Sequence, residues 1–132
     1  MLKKIIRIPF LSAIVLMFTL AGCTKITTIV VDNSPAVTGT VNFTKTIVPI
    51  LTKSCASSGC HGGSVVPNLT APLAYSSLIV GNYVNTAKPE TSEVYLFLTG
   101  KSSPTMPLGS ANNPSNINAL MLAWIKQGAK NN

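Results

Sequence analysis

Two cysteines and the only histidine of the chain fall within seven residues, Cys55-Ala56-Ser57-Ser58-Gly59-Cys60-His61. A Cys followed at once by His, with a second Cys upstream, is the pattern by which haem is attached covalently. The pattern has a chemical reason. Two thiols add to the vinyl groups of the porphyrin, and the adjacent His sets its imidazole on the iron from the same side. The usual spacing leaves two residues between the cysteines, whereas this chain has four, Ala56 to Gly59. All four are small enough to bulge outward while both sulfurs reach the porphyrin edge. Other chemistry competes for the same residues. In an oxidising compartment Cys55 and Cys60 would form a local disulfide and leave His61 an ordinary surface residue. A structural zinc site lacks its fourth ligand, and Met is a poor substitute. A catalytic Cys-His pair fares worse, because neighbours in sequence point apart and no third orienting group is evident.

Composition removes several function classes. The formal charge is +7 over 132 residues, which is room for one domain. Lys3, Lys4 and Arg7 lie before residue 23, so the remainder carries seven scattered lysines, three acids and no arginine. A nucleic-acid binder usually needs a clustered basic face, often with Arg for bidentate contacts, so that class is disfavoured. Hydrolases built on paired carboxylates or a His-centred triad are equally disfavoured, with only Asp32, Glu90, Glu93 and His61 to draw on.

The N-terminus reads as an address. Three cations in Met1 to Arg7 precede an apolar run, Ile8 to Leu20, broken only by Pro9, Ser12 and Thr19. That run is short for a membrane-spanning helix and suits a secretory leader. It ends Leu20-Ala21-Gly22-Cys23. The segment resembles a bacterial lipoprotein signal with these four residues as its lipobox. The resemblance implies cleavage before Cys23, a diacylglyceryl group on its sulfur, and acylation of the new N-terminus. Two or more acyl chains anchor stably, whereas one binds only marginally. Residues 1–22 are thus expected to be a signal peptide, 23–42 a lipidated, extended tether broken by Pro35 and Gly39, and 43–132 the folded domain.

In that domain Phe43, Ile47, Ile50 and Leu51 form an amphipathic stripe, with Thr46 the expected cap so that Pro49 costs no hydrogen bond. A weaker helix is expected over about 71–78. Ser92 to Thr99 reads as a buried helix capped by Ser92 and closed by Gly100. The clearest has Asn113 as cap, Pro114 at the first position, a stripe of Ile117, Leu120, Met121, Trp124 and Ile125, and Gly128 at its end. The expectation is an all-α domain of three or four short helices with long loops, too small to stand easily without a disulfide, metal or cofactor. Met121 belongs to the last stripe and reads as core. Met106 lies in the loop Ser102-Ser103-Pro104-Thr105-Met106-Pro107, where it is either a gap-filling thioether or a side chain meant for a haem face.

Taken together, Ile47-Val48-Pro49-Ile50-Leu51, Cys60-His61-Gly62-Gly63, Pro67-Asn68-Leu69, Thr105-Met106-Pro107 and Trp124-Ile125-Lys126-Gln127-Gly128-Ala129 follow one another in the order of a small class I cytochrome c domain, which residues 43–130 resemble. The resemblance implies one covalently bound haem c held through Cys55 and Cys60, with His61 as proximal and Met106 as distal iron ligand. It also implies that the Pro67 carbonyl accepts the His61 ring N–H, and that Trp124 packs on the helix crossing the first one. Lys53 and Lys101 would flank the haem edge. The expected function is single-electron transfer rather than enzymatic catalysis, since both axial positions are filled. Redox proteins are then the partners, the membrane is reached through the lipid on Cys23, and neither nucleic acid nor a small-molecule substrate is expected. The location would be the periplasm or cell surface. The alternatives are a redox-inert surface lipoprotein with a Cys55–Cys60 disulfide, and a haem sensor or peroxidase-like protein in which Met106 does not bind iron. Replacing Cys23 by Ser is expected to release the mature protein from membranes, as read by fractionation; a C23S protein that still pellets with membranes would refute lipid anchoring at this residue.

Overall fold

A computed structural model describes residues 36–108 and 116–132. The leader, Cys23, most of the tether, and the Asn113-Pro114 pair lie outside the described residues. Asn42 opens the first helix. Its backbone is extended, and its Oδ1 accepts the Lys45 N–H at 2.7 Å, the geometry of an N-cap. Thr46, the expected cap, is already inside the helix and donates its N–H to Asn42 O at 2.9 Å. A wide π-helical turn, Phe43–Ile47, runs directly into α1, Val48–Ser54. The Val48 N–H reaches back five residues to Phe43 O. In a regular helix starting here the Pro49 ring would press on the carbonyl four residues back, and widening the turn relieves that conflict.

The second helix starts later than its pattern suggests. Asn68 Oδ1 accepts from both Thr70 N–H and Thr70 Oγ1, a turn through Pro72 follows, and α2 spans Ala74–Val80. A short 3-10 turn, Pro89–Thr91, leads to α3, Glu93–Leu98, close to its expected bounds. Ser92 does not cap α3 with its side chain. Its Oγ is buried and accepts the Asn85 N–H at 2.9 Å, tying down the preceding loop instead. The last helix, α4, spans Ile117–Lys126. Asn116 precedes it in the left-handed region at φ 56°, a conformation that Asn tolerates better than most residues and that interrupts any helix running on from Pro114. No strand occurs among the described residues, so the domain is all-α.

The core is built where these stripes meet. Phe43, Ile47 and Leu51 from the first helical stretch pack with Ala74 and Leu78 of α2, Leu98 of α3, and Ile117, Met121, Trp124 and Ile125 of α4. Phe43 lies 4.8 Å from the Trp124 ring and edge-on to Tyr75 at 5.4 Å, spacings typical of favourable aromatic contact. Trp124 Nε1–H donates to Lys130 O at 2.8 Å, so the indole is buried without an unmet donor. Residues 39–43 and the C-terminal segment are tied together beside it. Gln127 accepts the Val41 N–H and donates to Gly39 O, while Asn132 Oδ1 accepts the Phe43 N–H. Val41 is itself buried and Val37 packs against the core, so part of the segment read as tether belongs to the folded domain. On the surface, a 2.8 Å ion pair joins Glu90 to Lys126, and the hydrogen bond from Lys126 lowers the Glu90 carboxyl below its ordinary value. No helix among the described residues is long and apolar enough to cross a membrane.

Because Phe43 is fully enclosed and touches two other rings, Phe43→Ala is expected to cost about 3–5 kcal/mol of stability by the usual penalty for deleting a buried aromatic. Denaturant unfolding followed by Trp124 fluorescence measures this, and a loss under about 1 kcal/mol would mean that the aromatic trio does not hold the helices together.

Candidate functional site

The end of α1 starts the site. Cys55 and Ala56 both donate their N–H groups to Leu51 O, at 2.8 and 2.9 Å, which stops the helix. The chain then loops out and returns. The His61 N–H bonds Cys55 O at 3.2 Å and the Cys60 N–H bonds Ser57 O at 3.1 Å, so the segment between the cysteines is closed at its base while Ser57, Ser58 and Gly59 stand exposed. Gly59 sits at φ 81°, a turn that favours glycine. Gly62 is required for another reason. A Cβ there would meet Ala56 O at 2.7 Å and Ser57 O at 2.9 Å, both backbone atoms that cannot swing aside. Only a residue without a side chain lets the strand after His61 pass this close to the loop.

His61 is oriented from two directions. Its carbonyl accepts the Leu69 N–H at 2.8 Å, and its Nδ1 lies 2.9 Å from Pro67 O. A carbonyl only accepts, so Nδ1 donates its proton there, which leaves Nε2 as the nitrogen through which the neutral ring would bind a metal. Nε2 has no hydrogen bond among the described residues.

Cys55, Cys60, His61 and Met106 all line one cleft of about 470 Å³. Its floor is formed by Leu51, Leu69, Leu78 and Leu98, the far side of the core. Tyr83 and Phe97 contribute aromatic wall, whereas Tyr75 and Trp124 stay in the core. Tyr83 folds back tightly over Gly81, where a Cβ would come within 2.4 Å of its ring. Met106 is held by its backbone, with its N–H donating to Phe97 O at 3.0 Å, so the C-terminal end of α3 positions the Met loop. Neither Lys53 nor Lys101 lines the cleft; Lys101 Nζ instead lies 5.7 Å over the Tyr95 ring. Glu93, named in the sequence only among the chain's few acids, is the one acidic side chain among the described lining residues. Its i, i+4 spacing from Phe97 is the sequence signal that puts it on the cleft side of α3.

The cleft has the size of small-molecule and cofactor sites and their largely apolar walls. It also offers one neutral imidazole nitrogen, one thioether and two thiols. Among the described residues no three of His, Cys, Asp and Glu gather into a metal-binding group. A bare ion is therefore poorly served by this donor set. An iron whose macrocycle supplies the equatorial donors needs only axial ligands, and for that group the residues fit. No family model, no curated protein and no solved structure matches the chain.

Both thiols are free. Burial pushes the Cys55 thiol above its ordinary value, and the neighbouring Cys60 adds to the rise, whereas Cys60 itself is exposed. A raised value keeps Cys55 protonated to higher pH, and only the thiolate reacts. In the chain with both thiols free, iodoacetamide is expected to modify Cys60 first, with the Cys55 rate climbing only at a pH above that of a model thiol. Peptide mass mapping against pH reads both rates; equal rates throughout would show that Cys55 is not enclosed.

Proposed function

We propose that this chain is a monohaem c-type cytochrome that passes single electrons and is anchored to a membrane through an acylated Cys23. The observation that carries the reading is the convergence of Cys55, Cys60, His61 and Met106 on one apolar cleft, with the His61 proton committed to Pro67 O. When bound, haem supplies a one-electron couple at its iron. The residues divide the remaining work. Cys55 and Cys60 hold the macrocycle by thioethers. Pro67 fixes the His61 tautomer and ring direction, and α3, through Phe97 O, fixes where Met106 enters. The leucine floor and the Tyr83 and Phe97 rings exclude water, which strengthens electrostatic effects inside the cleft and helps set the potential. His61 and Met106 would hold the iron, a ligand pair that raises the potential and suits transfer.

Intact-mass analysis of the exported, mature chain, with its pyridine haemochrome spectrum, tests the reading. The expected result is the mass of the lipidated chain plus one haem, with a c-type haemochrome. A chain lighter by two hydrogens would indicate the Cys55–Cys60 disulfide and overturn the proposal. Met106→Ala is expected to abolish the weak far-red band of Met-ligated ferric iron and to let the reduced form bind carbon monoxide. If the band survives in M106A, another residue is the distal ligand.

A further inference from the structure

Helix α2 is apolar on both of its sides. Ala74 and Leu78 are fully buried in the core. On the opposite side Leu73, which precedes the helix, and Val80, two turns on, are 46% and 79% exposed, with Ile79 beside them. A surface helix normally turns polar or charged residues outward, and one that is apolar all round has a second apolar neighbour. Ser76, between Leu73 and Val80, does not change that character. Its hydroxyl donates to Leu73 O at 3.0 Å and is satisfied locally. Ala71 and Pro72, next along the chain, are exposed as well, and no charged residue occurs between His61 and Lys88. Leu73, Ile79 and Val80 do not line the cleft, so a group bound there leaves them uncovered.

The length of the tether says what lies within reach. Residues 24–36 separate Cys23 from Val37, which packs against the core. At about 3.3–3.6 Å per residue that stretch spans at most about 50 Å. The segment it leads into touches α2 directly, since Phe43 is edge-on to Tyr75 at 5.4 Å. A domain held this closely by lipid meets its own membrane at an effective concentration on the order of millimolar, so a small apolar face suffices to dock it. Three side chains are too few for a lasting dimer. The excess of lysine repels a second copy but is drawn to an anionic lipid surface. We propose that the outer face of α2 is a membrane-contact surface, at which Leu73, Ile79 and Val80 enter the boundary between headgroups and acyl chains of the lipid layer that holds Cys23. The inference rests on the lipid reading of Cys23. Leu78, on the inner side of the same helix, floors the cleft, so α2 stands between the lipid and that floor and gives the domain one orientation on the membrane.

The test uses the exported, lipidated chain, kept reduced, in nanodiscs of phosphatidylcholine and phosphatidylglycerol doped with nitroxide-labelled lipid. Broadening of methyl NMR signals reads proximity to the lipid. The signals of Leu73, Ile79 and Val80 are expected to broaden far more than those of Val66, which is exposed to the same degree as Val80 but lines the cleft. Leu73→Glu combined with Val80→Glu, both at exposed positions, is expected to lower the Ile79 broadening by about tenfold, because most of the apolar area is then lost from the contact. Equal broadening at Val66 and Val80, or an unchanged Ile79 signal in the double variant, would overturn the contact face and leave lipid anchoring intact. A Cys23→Ser domain without nanodiscs supplies the other arm. If Leu73 and Val80 are shielded there from a water-soluble paramagnetic agent as well as they are on the membrane, the chain itself or a second copy covers them, and the proposal fails. A mature chain whose mass carries no acyl groups would overturn the anchor and the face together.

Discussion

Four leucines face two ways. Leu51, Leu69, Leu78 and Leu98 close the core on one side and floor the cleft on the other, so helix packing and cofactor space are one problem with one set of side chains. In a small all-α domain the apolar area available is limited, and a wall left facing water weakens the fold. Whatever fills the cleft therefore completes the hydrophobic interior as well as supplying chemistry. This coupling explains why the domain has so little regular structure. Its helices are short because each needs to present only one stripe, and the loops between them form the remaining walls.

The loops are not slack. The 55–62 segment is pinned at its base by the His61 N–H to Cys55 O bond, threaded past Gly62, and tied to the next strand of chain through Leu69 N–H and Pro67 O. The Met loop hangs from the end of α3, and the 85–92 loop hangs from buried Ser92. Each loop spends its backbone hydrogen bonds on a neighbouring element, which is how irregular chain holds a side chain in a fixed direction. His61 and Met106 are thus positioned by separate elements, His61 by its own loop and Met106 by the end of α3.

Charge is distributed to match. Among the described residues no lysine lines the cleft, and Glu93 is the one charged side chain there, beside valine, leucine and proline. So little charge makes close approach depend on shape and apolar contact rather than on long-range steering.

The sequence alone determined the helical character, the approximate position of each helix, the clustering of Cys55, Cys60 and His61, and the separate standing of Met106 against core Met121. These follow from local periodicity and spacing, which do not depend on what packs against them. The helix starts were decided by tertiary structure. Asn42 outcompeted Thr46 because widening the first turn accommodates Pro49, and Ser92 turned inward because the 85–92 loop needed its hydroxyl more than α3 did. Left-handed Asn116 stands directly before the described helix Ile117–Lys126. Only the folded chain could show that residues as distant as Leu51, Leu78, Glu93 and Met106 share one cleft, because that proximity is made by long-range packing and leaves no mark in the order of the residues.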